Sequence, residues 1–174
     1  MKIFLVGFMG CGKSYVGKRL SAKLGFQFID ADNVIENTEG MTIAQIFTQF
    51  GEAHFRQIEA DTLRRFAKWD DVVISTGGGA ACFHDNMDWM NAHGLTVYLK
   101  ASPQLLMSRL KSEADHRPIL GGRTDADLLQ FIADKLNERS VFYEQARLIV
   151  EQESDGEQVV ADVIQALFQL ANAL

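Results

Sequence analysis

Apolar runs bounded by turn residues recur at 2–8, 27–29, 72–75, 96–99 and 148–150, each short and rich in branched or aromatic side chains. That pattern predicts five β-strands. Between them, apolar residues repeat with helical period over 13–24, 53–68, 103–111, 126–146 and 158–170. Strands alternating with helices predict an α/β fold, because parallel neighbours need crossover connections that cover the sheet on both faces. Two segments exceed a minimal alternation. Residues 33–68 hold two or three helical pieces before the next strand, enough to wall a pocket, and 112–125 is polar with Gly121-Gly122. A charged, glycine-containing segment orders cheaply only around a ligand, so the second segment reads as a mobile lid over 112–124.

Length and charge narrow this picture. A chain of 174 residues closes one sizeable core, and a single domain spanning 1–174 is expected. With 23 acidic against 17 basic residues the formal charge is −6, which argues against a nucleic-acid partner on a broad basic surface. An anionic ligand must then be captured by local arginines, lysines and backbone amides. The opening MKIFLVGFMG begins like a secretory signal, but its apolar run is short and passes straight into GCGKS. No window reaches the length of a membrane span, so a cytoplasmic protein without membrane partners is expected, and separately a monomer. Cys11 and Cys82 show no metal-pair spacing, which leaves neither a disulfide framework nor a zinc site as the expectation.

The strongest chemical signal is Gly7-Phe8-Met9-Gly10-Cys11-Gly12-Lys13-Ser14, which fits GxxxxGK[ST] between an apolar strand and an amphipathic helix. Its glycines let successive N–H groups face phosphate oxygens, and the following helix adds its positive end. Lys13 is placed to bridge the β- and γ-phosphates of ATP, and the Ser14 hydroxyl to ligate Mg²⁺. Cys11 has two readings, a reactive thiol at a helix N-terminus or a small packing residue, and packing is favoured.

No guanine-reading Asn-Lys-x-Asp segment is present, and the strand Val72-Val73-Ile74 runs into Ser75-Thr76-Gly77-Gly78-Gly79 where a motor ATPase would place an acidic residue. Three glycines at the carboxyl end of a parallel strand lie where such sheets bind ligands, and they let backbone amides approach closely.

Taken together, GFMGCGKS, FIDADNVIE, IFTQFGEAHFRQIE, STGGG, RPIL and LNERSVFYEQA resemble, in order, the motifs of the shikimate kinase family over about residues 2–150. The resemblance implies a three-layer α/β/α P-loop kinase fold of the nucleoside-monophosphate-kinase type, with a five-stranded parallel sheet. It also implies a substrate-binding region at 33–65 and a lid near Arg117. The implied reaction moves the γ-phosphate of ATP, with Mg²⁺, onto the 3-hydroxyl of shikimate, a step toward the aromatic amino acids. Another small-molecule kinase, such as one for gluconate, and a nucleotide-binding regulatory module remain the alternatives. The set Asp32, Arg56, Gly78 and Arg139 argues against the module.

By the same resemblance Asp32 binds the shikimate hydroxyls and acts as base, while Asp30 supports Mg²⁺ through water. Asp30 reads equally well as a helix cap. Arg56, three residues before Glu59 on a helical face, binds the shikimate carboxylate together with Arg139. Gly77, Gly78 and Gly79 complete the substrate site, and Phe47 and Phe55 are candidates for its apolar walls. Arg117 clamps the transferring phosphates with Lys13. The ATP side further comprises Gly10, Cys11, Gly12, Ser14 and Tyr15, with Arg109 on the adenine. His116 reads as a solvated lid residue.

Overall fold

The computed structural model describes residues 1–112, 124–152 and 156–172. Five strands, β1 (Lys2–Val6), β2 (Gln27–Asp30), β3 (Val72–Ser75), β4 (Leu95–Ala101) and β5 (Leu148–Gln152), form one sheet in the order β2-β3-β1-β4-β5. Every pairing is parallel. Seven helices accompany them among the described residues: α1 (Lys13–Leu24), α2 (Ala31–Glu39), α3 (Ile43–Arg65), α4 (Asn86–His93), α5 (Pro103–Ser112), α6 (Asp125–Tyr143) and α7 (Glu157–Asn172).

The central strand explains the layering. Alternate side chains of a strand face opposite sides, so Ile3 and Leu5 join one core with Val16, Leu20, Val97 and Val163, while Phe4 and Val6 join another with Leu63, Ile74 and Met90. These four β1 residues are fully buried, as a strand covered on both faces requires. The result is the three-layer α/β/α arrangement. A third, smaller core of Ile35, Ile46 and Phe55 holds α2 against α3.

Three differences from the sequence reading bear on the layout. β1 ends at Val6, before the phosphate loop, and no strand continues to residue 8. The helix expected from 53 begins at Ile43, where Thr42 and Gln45 form a capping box, and Gly51 (φ 81°, ψ 172°) divides it before the expected segment. α4 is short, with Asn86, Met87 and Met90 buried, and its period is too brief to stand out in the sequence.

Candidate active site

The loop from Gly7 to Ser14 joins β1 to α1. Gly10 (φ 79°) and Gly12 (φ 90°) take left-handed backbone values that side-chain-bearing residues disfavour, and this curls the loop back on itself. Gly12 is also the N-cap of α1 and brings no side chain of its own, which leaves the first N–H groups of the helix to a ligand. Lys13 is buried, and its ammonium donates to the carbonyls of Gly7 (2.8 Å) and Phe8 (3.0 Å). Cys11 is only 1% exposed and belongs to the core beside α1, the packing role expected of it. Tyr15 sits at the rim, its ring covered by the Arg19 guanidinium at 3.5 Å and abutting Gly156.

β2 delivers the carboxylates. The strand ends at Asp30, and Ala31 already begins α2, so strand alternation does not govern Asp32, which lies in the first helical turn. Asp30 caps the helix, the second of its two expected readings, and makes a further contact with the phosphate loop. One oxygen caps α2 by accepting from the Asp32 N–H (3.2 Å), and the other accepts from the Ser14 hydroxyl (2.6 Å). Ser75, at the end of the neighbouring β3, brings its hydroxyl within 3.2 Å of Ser14. Burial, then the charge of Asp30, raises the Asp32 carboxyl above the usual range, against the pull of Lys13 and Arg56.

The triple glycine after β3 adopts no left-handed conformation; its value is space. A Cβ on Gly79 would stand 2.7 Å from Arg56 Nη2, and one on Gly77 would stand 2.5 Å from Glu59 Oε1 and 2.9 Å from Asp32 Oδ1. The missing side chains therefore admit the protein's own charged groups, beyond the close backbone approach expected from sequence. Arg56, 8% exposed, lies against the Phe83 ring at 4.1 Å and donates to Glu59 at 2.8 Å. Its remaining edge, Nε and Nη2, is held by one oxygen of the exposed Glu52 at 3.3 and 3.1 Å.

Glu59 is 2% exposed, with Oε1 buried and lacking a hydrogen-bond partner. Burial accordingly outweighs Arg56 and raises its pKa despite the ion pair. Arg139 reaches the same place from α6, donating to the Gly78 carbonyl at 3.4 Å, and Tyr143 one turn later donates to that carbonyl as well. Both Arg56 and Arg139 act on the Glu59 carboxyl. Phe55 is core, its ring tilted against that of Phe47 with centroids 4.6 Å apart.

Arg109 extends from α5 over the loop, bonded through Nη1 to the Gln152 side-chain oxygen at 2.9 Å. A cleft of about 480 Å³ runs between these halves, with Lys13, Ser14 and Arg109 on one side and Asp32, Thr76 and Gly78 on the other. It opens at the carboxyl ends of the strands, where parallel sheets bind ligands. Arg117, His116 and nearly all of the expected lid, 112–124, lie outside the described residues. Among the contributors that the sequence reading does not single out are Gln152, which lies just past the strand read at 148–150, and Glu52 and Tyr143, which fall inside the quoted motifs without a role of their own. Nothing local marks the contacts they make.

The donor set at Ser14 suits Mg²⁺: a hydroxyl between a carboxylate and a second hydroxyl, all hard oxygens and too few for a closed protein cage. Mg²⁺ commonly keeps waters and phosphate oxygens in its remaining positions.

The sequence profile of the shikimate kinase family matches residues 9–168. A shikimate kinase of Parabacteroides distasonis is 45% identical over 170 residues, 97% of this chain and 98% of that one. Among solved structures, a shikimate kinase from Bacteroides thetaiotaomicron superposes with a TM-score of 0.91 at 42% identity, covering 98% of both chains. One from Acinetobacter baumannii in complex with shikimate gives 0.85 at 33% identity, covering 99% of this chain and 93% of that one.

Proposed function

Because the chain belongs to the shikimate kinase family, which phosphorylates shikimate with ATP, we propose that the cleft holds ATP on the phosphate loop with its γ-phosphate facing shikimate at the triple glycine. The observation that carries the reading is convergence. Asp32, Arg56 and Arg139 gather around Gly77–Gly79, and Asp32 shares one cleft with Lys13 and Ser14.

In this reading the two guanidiniums bind the shikimate carboxylate, whose planar geometry matches their forks. Arg56 is oriented by Glu59 and the Phe83 ring before substrate arrives, so little orientation is lost on binding. The carboxylate takes the Nε–Nη2 edge that donates to Glu52 in this structure. Asp32 then faces the 3-hydroxyl. As the hydroxyl oxygen bonds to the γ-phosphorus, its proton passes to the Asp32 carboxylate, and the bond from the γ-phosphorus to the bridging oxygen breaks to leave ADP. Asp32 suits the task because burial and Asp30 raise its proton affinity.

Lys13 turns from the loop carbonyls toward the β- and γ-phosphates. Ser14 and, through water, Asp30 would hold Mg²⁺, which when bound would neutralise developing phosphate charge. Gly10, Cys11 and Gly12 supply main-chain N–H groups, Tyr15 lines the nucleotide rim, and Arg109 covers the adenine. Arg117 is proposed on its sequence motif alone as a further cation on the transferring phosphoryl group.

A coupled assay of ADP release tests the reading. Release should require shikimate and should not be supported by gluconate or by hydroxy compounds lacking a carboxylate. ATP binding in calorimetry without heat from millimolar shikimate would favour a nucleotide-binding module instead.

A further inference from the structure

We propose that Gln152 is a positioning residue of the nucleotide half: its amide ties the phosphate loop to Arg109 and fixes the register of the two around ATP. The inference rests on the reading of this cleft as an ATP site. Gln152 ends β5, is 7% exposed, and is anchored opposite Ala101 of β4. Its Nε2 donates to the Cys11 carbonyl at 2.9 Å while its Oε1 accepts from Arg109 Nη1 at 2.9 Å. A carbonyl only accepts and a guanidinium only donates, so a single amide orientation satisfies both contacts.

The loop's own chemistry explains why this matters. A phosphate cradle turns N–H groups inward, and carbonyls displaced outward then need donors of their own. Lys13 serves Gly7 and Phe8, and Gln152 serves Cys11, in the middle of the loop. Arg109 lies close enough to Gly12 that a Cβ there would come within 3.8 Å of its Nη1. One buried side chain thus joins β5, the loop and α5. Neither a carboxylate nor a hydrocarbon can replace it: glutamate would face the Cys11 carbonyl with negative charge, and leucine would offer neither contact.

Calorimetric titration of the full chain with ADP, and separately with shikimate, tests this on Gln152→Leu, Gln152→Glu and Gln152→Met, the last close in volume. ADP affinity should fall about tenfold in Gln152→Leu and Gln152→Met, the scale of a buried acceptor losing its donor. Gln152→Glu should weaken ADP as well, although it keeps an acceptor for Arg109. In all variants shikimate affinity should stay unchanged, and KM for ATP should rise with little change in kcat. ADP affinity within twofold of wild type in the folded variants would overturn the inference, as would equal losses for both ligands, which mark general destabilisation. If the unaltered chain bound no ADP, the function reading itself would fall, a result distinct from either.

Discussion

The two halves of the cleft use glycine for opposite purposes. In the phosphate loop, Gly10 and Gly12 supply left-handed backbone, and the ligand-facing groups are main-chain amides. At Gly77–Gly79 the backbone needs no such freedom, and the missing Cβ atoms make room for Arg56, Glu59 and Asp32. Main-chain recognition suits phosphate, which any ring of N–H groups can bind. A carboxylic acid carrying several hydroxyls calls for directed side chains, and these arrive from α2, α3 and α6.

The contrast is sharpened first at the proton acceptor. Asp32→Asn should lower kcat by about 10²–10⁴-fold, the usual contribution of a general base, while ATP and shikimate still bind. Near-normal turnover would remove Asp32 from its role. Next, Gly79→Ala should weaken shikimate by about 1–3 kcal/mol through overpacking against Arg56 and leave KM for ATP unchanged. Gly12→Ala should do the reverse, at about 1–2 kcal/mol, the cost of a side chain in left-handed backbone. If either glycine variant affected both substrates equally, the division of labour would be wrong.

Stability separates the halves as well. Asp32 is raised by burial, so the folded state holds its proton more tightly than the unfolded chain does, and the group loses stability as pH rises through its folded pKa. Asp32→Asn should therefore melt higher than wild type at neutral pH, by about 2–4 °C per kcal/mol relieved. The gain should vanish below the ordinary carboxylate range, and a gain persisting there would assign it to another cause. The smallest effect belongs to Glu52→Ala. Freed of an exposed pairing with Arg56, the site should bind shikimate tighter by no more than about 1 kcal/mol, and weaker binding would make Glu52 a support for the arginine.

These halves also differed in how far the sequence disclosed them. The phosphate loop is contiguous, and its strand–loop–helix setting follows from the apolar run before it and the helical period after it. Asp32, Arg56 and Arg139 were found only through motifs, since an arginine three residues before a glutamate is otherwise an ordinary surface pair. What remained hidden depends on tertiary contact. Nothing local indicates that Gln152 reaches Cys11 across the sheet, that Tyr143 bonds to Gly78, or that Asp30 holds Ser14 besides capping its helix. The helical turns from Ile43 to Phe50 fall in 33–68, where the sequence reads only as two or three helical pieces, and Gly51 marks the break before the helix read from 53.

A crystal structure of the chain with ADP, Mg²⁺ and shikimate tests the central claim most directly. The shikimate carboxylate should lie between Arg56 and Arg139, with Glu52 turned away and the 3-hydroxyl within hydrogen-bond reach of Asp32, facing the β-phosphate on the loop. A carboxylate oriented away from both guanidiniums, or a 3-hydroxyl remote from Asp32, would contradict it.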